Sequence, residues 1–522
     1  MNMLLTSAQM RALERDAIDR GTVSGVALME RAGRGVVDAV LAEWPDFGAE
    51  GQRALVLCGP GNNGGDGFVI ARLLQARGWA VHVWLFGDAG RLPGDARRNH
   101  DLWASLGPVK PWDAEAILSG SQPDLIVDAV FGIGLTRPLP GVVAQVLCAE
   151  RWQQEGAVRR VAVDCPSGLN LDTGTVPQMA GEEAESRADL TVTFHRAKPG
   201  HYLGRGPDLC GALRVADIGL PVPLGAVRDP EVVRLVDRPD PRSDWPLGLI
   251  SKARGGGHKF NHGHVMVFAG GVGRGGAGRL AARAALRAGA GLVTLLCPPA
   301  ALQENACQLN AIMLQAIRGP EELGERADTR VSGFCLGPGM GVSVRTRDMV
   351  LAVLARRDTI TVLDADALSS FADAPEALFA ACHPRVVLTP HEGEFARLFP
   401  DLGAAVRMER SKVEVVRQAA ERAGCIMLLK GADTVIAAPD GAASLHAAAY
   451  GRSAPWLATA GAGDVLAGLI AGLAAPQGAG ALMEMVEAAA WLHVECARRF
   501  GPGLIAEDLP DILPRVLQEL QG

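Results

Sequence analysis

Ala54-Leu-Val-Leu-Cys-Gly-Pro-Gly-Asn-Asn-Gly-Gly-Asp-Gly67 sets a short apolar run against a glycine-rich turn that closes on an aspartate. An apolar run too short for a typical helix and bounded by Gly and Pro reads as a buried strand. Glycines let the backbone bend tightly and approach a ligand, and amides at a helix start attract anions. A second such turn, Ala460-Gly-Ala-Gly-Asp464, directly precedes the apolar helical run Val465–Ala474. The aspartate of such a turn is either a helix cap or a working carboxylate. Two of them, each in its own α/β-patterned half, point to a two-domain enzyme with two active sites.

Around the first turn, apolar runs at Ala54–Cys58, Ala80–Phe86, Leu125–Val130, Val161–Asp164 and Leu190–Phe194 alternate with helical stretches. That alternation predicts a parallel sheet covered by helices. Thr6-Ser-Ala-Gln9 has a capping-box pattern and predicts a helix ending near Gly21; a second helix carries Leu28, Met29, Ala32, Val36, Val37, Val40 and Leu41. Pro221, Pro223, Pro230, Pro239, Pro241 and Pro246 then break any long element. A linker is expected at 221–246, between domains at 1–220 and 247–522. Strand-like runs resume at His264–Ala269, Gly291–Cys297, Gly333–Leu336, Thr359–Leu363, Arg385–Leu388, Ile426–Leu429 and Thr434–Ala437. The last long helix is expected near Ala481–Phe500.

A chain of 522 residues exceeds what one core usually holds, and 48% hydrophobic residues can fill two. The net charge of −7, with no basic run carrying interleaved aromatics, argues against a nucleic-acid partner. Scattered cysteines without a CxxC pair suit reduced thiols, mostly buried. Met1–Asp16 lacks the basic head and long apolar stretch of a secretory signal. Val465–Ala475 falls well short of the ~20 residues that a membrane span requires. A soluble, cytoplasmic protein with no membrane partner is expected.

Three acidic residues mark strand ends in the first half. They are Asp66 in the turn, Asp128 in Leu125-Ile-Val-Asp-Ala-Val-Phe-Gly-Ile-Gly134, and Asp164 in Val163-Asp-Cys-Pro-Ser-Gly168. Ligands of an open parallel sheet sit at the carboxyl ends of its strands. Three carboxylates gathered there would form an oxygen-rich pocket suited to a hard cation or to proton transfer. Other readings stay open: Asp66 can cap a helix Gly67–Arg77, and Asp128 can be a turn residue. Gly59–Gly64, with Asp88 after the next strand, also fits a dinucleotide-binding dehydrogenase. Pro60 and two asparagines crowd that turn, however, and the dehydrogenase reading leaves Asp128 and Asp164 idle.

Asn62-Asn-Gly-Gly-Asp-Gly67, Asp128 with Gly132-Ile-Gly134, and Val163-Asp-Cys-Pro-Ser-Gly168 together resemble the NAD(P)H-hydrate epimerase domain, over about residues 1–220. The resemblance implies a Rossmann-like three-layer sandwich that interconverts the two epimers of hydrated NADH or NADPH. It implies that Asn62, Asn63, Gly64, Gly65 and Asp66 hold the dinucleotide together with Gly132, Ile133, Gly134, Leu135, Thr136, Arg137 and Pro138. It further implies a potassium ion near Asn63, Asp128 and Ser167, and a catalytic acid or base at Asp164. Cys165 stands where that family often has an aliphatic residue, and is expected to be inert.

In the second half, Asp464 can accept a proton from a substrate hydroxyl while the turn's amides face phosphate oxygens, the arrangement phosphoryl transfer needs. The alternative is a loop whose aspartate caps the next helix. No Gly-Lys-Ser or Gly-Lys-Thr occurs, which disfavours a P-loop ATPase. Gly271-Val-Gly-Arg-Gly-Gly276 matches GxGxxG, but no acidic residue ends the next strand; a close-packed turn before a helix Ala277–Ala288 is expected instead. His258, His262 and His264 look like a metal cluster, but their place in a glycine-rich entry loop without a carboxylate nearby in sequence favours plain loop residues. His391 reads as a residue directly after a strand, and His493 as a satisfied packing residue.

His258-Lys259, Gly270–Ala277, Leu336-Gly-Pro-Gly-Met-Gly341, Leu363-Asp-Ala-Asp-Ala-Leu368, Thr389-Pro-His-Glu-Gly-Glu394, Leu429-Lys-Gly-Ala-Asp433 and Gly461–Asp464 resemble, in that order, the ADP-dependent NAD(P)H-hydrate dehydratase domain. That resemblance implies a ribokinase-like α/β/α fold. It places Lys430, Gly431, Ala432, Asp433, Thr434 and Gly463 around the adenine nucleotide, and Ala277, Gly339, His391 and Asp464 around the hydrated dinucleotide. One departure is visible: Thr459-Ala-Gly-Ala-Gly-Asp464 has Ala462 where the family commonly has a hydroxyl residue.

The two resemblances converge on one substrate. The first domain would equilibrate the R and S hydrates; the second would phosphorylate the ring hydroxyl, with ADP and Mg²⁺, and eliminate phosphate to restore NAD(P)H. Small molecules are the expected partners, and a homo-oligomer is the expected assembly. A ribokinase-like kinase releasing a stable phosphorylated product and a non-enzymatic binding module are the rival readings.

Overall fold

A computed structural model describes residues 2–48, 51–135, 137–152, 158–177, 184–221, 231–237, 245–250, 252, 257–407, 410–476 and 479–521. The chain divides into a unit spanning Met3–Arg228 and a unit spanning Asp229–Gly522. Both are α/β, as the apolar runs required. No helix among the described residues is long and apolar enough to cross a membrane.

The first unit opens with helices α1 (Ser7–Asp19) and α2 (Gly25–Glu43). Thr6 and Gln9 form the expected capping box at the start of α1. Strand β1 (Arg53–Cys58) runs into α3 (Asn62–Gln75), followed by β2 (Ala80–Leu85), α4 (Gly94–Ala104), β3 (Val109–Pro111), α5 (Ala114–Ser119), β4 (Leu125–Ala129), α6 (Gly141–Leu147), β5 (Arg159–Val163), β6 (Leu190–Phe194) and β7 (Ala212–Ala216). The seven strands lie in the order β3-β2-β1-β4-β5-β6-β7, and every pairing is parallel. Alternate residues face opposite sides. Val56, Cys58, Val127, Val161 and Val163 pack with α1–α4, while Leu55, Leu57 and Ile126 pack with α5 and α6. Burying a side chain such as Phe68 completely contributes roughly 1.5–3 kcal/mol. The chain reverses direction across the sheet between β1 and β4, which puts a crevice beyond their carboxyl ends.

The second unit runs β8 (Val233–Leu235), β9 (His264–Phe268), α7 (Gly276–Arg287), β10 (Leu292–Cys297), β11 (Met313–Ala316), β12 (Gly333–Leu336), β13 (Ile360–Leu363), β14 (Val386–Leu388), α8 (Glu392–Leu398), α9 (Lys412–Ala423), β15 (Ile426–Leu429), β16 (Asp433–Ala437), β17 (Ala443–Ala447), α10 (Ala462–Ala474), α11 (Leu482–Phe500) and α12 (Asp508–Gln521), with shorter helices between. Its strands follow the order β8-β17-β16-β15-β14-β13-β12-β9-β10-β11. Only β16 runs antiparallel to its neighbours β15 and β17. The equivalent switch point falls between β9 and β12. Helices α7, α10 and α11 share one core with Val265, Val267, Val293, Leu295, Cys335 and Val362. A Cβ on Gly468 would lie 2.1 Å from Ala281 O, and one on Gly472 would lie 2.4 Å from Ala285 O. The α7 and α10 backbones therefore touch.

Three expectations are corrected. Helix α3 starts at Asn62, so Asp66 lies inside it and is not its cap. Helix α11 is followed by one more long helix, α12. His264 opens β9, as the strand-like run His264–Ala269 required and the loop reading of the three histidines did not, and its Nε2 lies 2.8 Å from Thr294 Oγ1. No group of three or more His, Cys, Asp or Glu that could hold a metal ion occurs among the described residues.

Candidate active sites

In the first unit, Gly59 leaves β1 and donates its N–H to Ala129 O at 3.0 Å, which seats the glycine-rich turn on the end of β4. A Cβ on Gly64 would lie 2.0 Å from Gly59 O, and one on Gly65 would lie 2.6 Å from Met29 Sδ. These two glycines let α3 start tight against the turn and against α2.

Asp164 leaves β5 with φ 65°, a left-handed conformation that His195, Ala365 and Tyr450 share among the described non-glycine residues. Its carbonyl accepts from His201 Nε2 at 2.9 Å, while His201 Nδ1 accepts the Lys198 N–H at 3.0 Å. That pair of bonds assigns the imidazole proton to Nε2. Burial, then Lys198, pushes the His201 pKa down to about 4, so the ring is neutral. Asp164 Oδ1 accepts from Lys198 Nζ at 2.8 Å and from Thr193 Oγ1 at 2.7 Å. Burial is the largest influence on the Asp164 pKa and raises it, but the Lys198 ammonium together with His201 and the Thr193 hydroxyl outweighs it and holds the carboxyl below its usual range.

A Cβ on Gly132 would lie 3.2 Å from Asn63 Oδ1 and 3.5 Å from Asp164 Oδ2, so both side chains converge on the Gly132 backbone. Gly132, Gly134, Leu135 and Arg137 line an open cleft there with Val130 and Phe131. Leu135 also packs into the core with α5 and α6, and Thr136 lies outside the described residues. Arg11 of α1 donates to Ile133 O at 2.5 Å, tying this segment to the first helix. Burial, then Asp164 and Glu14, pushes Asp66 well above the usual carboxylate range. Burial and Asp164 also raise Glu14, which reaches the site from α1. One ionised carboxylate thus stands among carboxyls that favour their protons, the separation acid–base chemistry exploits.

Asp128, at the end of β4, is buried. Its Oδ1 accepts from Ser167 Oγ at 2.6 Å and Val130 N at 3.3 Å; its Oδ2 accepts from Ser167 N at 2.9 Å and Ser186 Oγ at 3.2 Å. Burial raises its pKa against the pull of these bonds. Asn63, Asp128 and Ser167 supply the hard oxygen donors an alkali cation takes. Asn63 Nδ2 is buried without a hydrogen-bond partner, and turning that amide over would present its oxygen instead. Of the three, Asp128 and Ser167 meet directly, and their oxygens are of the kind potassium takes, provided one hydrogen bond on Asp128 yields to it. Asp88 Oδ1 accepts from Gly90 N at 2.8 Å and caps the short turn after β2. The Cys165 thiol is buried, and burial followed by Asp164 pushes its pKa well up, in keeping with an inert residue.

In the second unit, the turns after β9 and β12 meet closely. A Cβ on Gly270 would lie 1.9 Å from Gly339 O; one on Gly339, itself at φ 70°, would lie 2.7 Å from Arg274 O and 3.5 Å from Ala277 Cβ. Ala277, in the first turn of α7, and Gly339 therefore border the same crevice. Asp464 sits in the first turn of α10, whose cap is the left-handed Gly461 (φ 89°). Its carboxyl is pushed up to about 6 by burial, then by Asp364, with Lys430 pulling it down and Asp366 and Glu394 adding to the rise. Lys430 Nζ donates to Asp364 Oδ1 at 2.5 Å, and Thr389 Oγ1 donates to the same oxygen at 2.9 Å. A Cβ on Gly463 would lie 3.3 Å from Lys430 Nζ. Lys430, Gly463, Asp364 and Asp464 thus share one place.

Gly431, Ala432, Asp433 and Thr434 make the turn into β16. Lys412 Nζ donates to Asp433 Oδ1 at 2.6 Å, Thr434 Oγ1 donates to Gly431 O at 2.8 Å, and Ala432 O accepts from Ala448 N at 2.7 Å. These bonds fix the turn's shape. His391 caps α8: its Nδ1 accepts from Gly393 N and its own N–H donates to Glu394 Oε2, both at 2.9 Å. His493 is buried as a packing residue, but its Nε2 lacks a hydrogen-bond partner, so it is not fully satisfied.

Sequence reasoning missed Glu14, Thr193, Lys198, His201, Lys412 and the pairing role of Asp364. A local hint existed for two of them, since Lys198-Pro-Gly-His201 follows the end of β6, but nothing in the sequence joins that segment to Asp164.

Two switch-point crevices, each holding a buried or half-buried aspartate at its mouth, define a bifunctional α/β enzyme. The family model described as "YjeF-related protein N-terminus" matches residues 25–200, and that described as "NAD(P)H-hydrate dehydratase" matches residues 265–515. A bifunctional NAD(P)H-hydrate repair enzyme of Moorella thermoacetica is 36% identical over 99% of this chain and 97% of its own length. An NAD(P)H-hydrate epimerase of Rhodobacter capsulatus is 48% identical over 38% of this chain and 92% of its own. A solved ADP/ATP-dependent NAD(P)H-hydrate dehydratase from Bacillus subtilis, crystallised with ATP and Mg²⁺, is 28% identical over 51% of this chain and 92% of its own, with a TM-score of 0.42. The chain belongs to the family of bifunctional NAD(P)H-hydrate repair enzymes.

Proposed function

We propose that this chain restores hydrated NADH and NADPH in two steps. The first unit equilibrates the R and S epimers of the hydrate, and the second dehydrates the S epimer while ADP is converted to AMP and phosphate. The observation that carries this reading is the pair of aspartates, Asp164 and Asp464, placed in separate units at the crevices where parallel sheets take their ligands.

In the first unit the hydrated ring would lie over Gly132, with Asn62–Asp66 and Gly132–Pro138 along the dinucleotide. Asp164, held ionised by Lys198, would take the proton of the ring hydroxyl as the carbon–nitrogen bond opens to an aldehyde, and would give that proton to the nitrogen. Closure on the other face of the aldehyde reverses these transfers and yields the other epimer. Asn63, Asp128 and Ser167 would hold a potassium ion, which would supply positive charge beside the substrate. In the second unit Asp464 takes the proton of the ring hydroxyl as phosphoryl transfer begins. Hydroxide leaves poorly and phosphate leaves well, so the ring nitrogen's lone pair can then expel phosphate, and loss of a proton from the adjacent ring carbon restores the double bond of the dihydronicotinamide. Lys430, Gly431, Ala432, Asp433, Thr434 and Gly463 would surround the adenine nucleotide, whose Mg²⁺ would offset phosphate charge. Ala277, Gly339 and His391 would border the hydrated dinucleotide. The reading includes a cytoplasmic homo-oligomer, with domain limits at 1–220 and 247–522 and no nucleic-acid or membrane partner.

The test is incubation of the full chain with mixed hydrates of NADH and either ADP or ATP, following the absorbance of the regenerated dihydronicotinamide. Complete recovery from both epimers is expected, with free phosphate and either AMP from ADP or ADP from ATP as products. A stable phosphorylated product in the mass spectrum would instead mark a kinase.

A further inference from the structure

We propose that Lys198 is a positioning residue for the reaction at Asp164: its buried ammonium, shared between Asp164 Oδ1 and Thr193 Oγ1, leaves Oδ2 as the oxygen that meets the substrate. The inference rests on the reading of the first unit as the epimerase. Lys198 is 1% exposed, and Thr193 is fully buried. Lys198 Nζ reaches Thr193 Oγ1 at 2.7 Å and Asp164 Oδ1 at 2.8 Å, and Thr193 Oγ1 donates to Asp164 Oδ1 at 2.7 Å, closing a triangle. Thr193 has a single hydroxyl proton, so it must receive from the ammonium while giving to the carboxylate. Both bonds land on the same carboxylate oxygen. The other oxygen is the one turned to Gly132, where Asn63 also arrives.

Lys198 holds Asp164 at its backbone as well. Its own N–H orients His201, and His201 Nε2–H holds the Asp164 carbonyl. One short segment, Lys198–His201, thereby fixes the left-handed backbone of Asp164 and the rotation of its carboxylate. A base that must meet the hydroxyl of either epimer gains from such fixed placement, because a displaced reacting group costs rate more than binding.

A buried ion pair could instead serve stability alone, since breaking one leaves an uncompensated charge. Steady-state epimer exchange by the full chain separates the two roles. Lys198→Met is expected to lower kcat about 100-fold with KM held within about threefold. Lys198→Arg, which keeps the charge, should recover at least about tenfold of that loss, and Thr193→Val should lower kcat about tenfold. A folded Lys198→Met chain with wild-type kcat, or with its loss confined to KM, overturns the inference. Should Lys198→Met fail to fold, Thr193→Val carries the test, and an unchanged kcat there overturns it equally. A wild-type chain that shows no epimer exchange while retaining dehydratase activity removes the underlying epimerase reading instead.

Discussion

Lys430 donates its ammonium to Asp364 beside the helix start that carries Asp464. The pairing leaves Asp464 next to a second carboxylate whose charge, after burial, does most to raise its pKa to about 6. A carboxylate base works only when deprotonated, so dehydratase kcat/KM should fall as pH drops through about 6. Asp364→Asn removes the like charge and frees Lys430 to act on Asp464, and both changes move that acidic limb to lower pH. A pH–rate series on the two proteins checks the direction; an unmoved limb contradicts the assignment of Asp464 as base.

The two reactions should separate cleanly by mutation. Asp464→Asn is expected to lower dehydration about 10²–10⁴-fold and leave epimer exchange intact, whereas Asp164→Asn should do the reverse. Both activities assayed on both variants decide the matter, and loss of both in a folded variant would rule out independent sites.

Gly468 lies one turn beyond Asp464 on α10, pressed against Ala281 O. Gly468→Val should push the two helices apart and cost about 1–3 kcal/mol or more, as overpacking does. Urea unfolding of the second unit reads the cost, and dehydratase activity should weaken with it because Asp464 rides on the same helix.

Replacing potassium by tetramethylammonium should depress epimer exchange, and Asn63→Ala should raise the potassium concentration needed for half-maximal rate about tenfold or more. Equal rates in the two salts would remove Asn63, Asp128 and Ser167 from a metal role.

Strands buried on both faces are the plainest in the sequence. Leu125–Ala129 and Leu190–Phe194 are wholly buried, so each reads as an unbroken apolar run between breakers. Val109–Pro111, Ala212–Ala216 and Met313–Ala316 escaped because they are short or half-exposed edge strands whose polar residues hide the pattern. Ala443–Ala447 is buried, but its Ser444 and His446 interrupt the apolar run. The carboxylates proposed as catalytic were legible locally, Asp164 because it ends a strand and Asp464 because it closes a glycine-rich turn at a helix start. Lys198 was not, because its partner lies 34 residues away in sequence and only the sheet brings them together. Asp364 and Lys430, 66 residues apart, met the same obstacle: each stood in a recognised motif, but their contact belongs to the tertiary fold.

The left-handed backbone of Asp164 also limits which residues can stand there. Of the other side chains only asparagine visits that conformation with comparable ease, and glycine adopts it without strain. A gene lineage released from the need for this reaction would therefore accept Asn or Gly at position 164 more readily than other residues, keeping the backbone while leaving the buried Lys198 ammonium without its carboxylate. The identity of that one residue can then serve as a marker separating working copies from decayed ones that still fold.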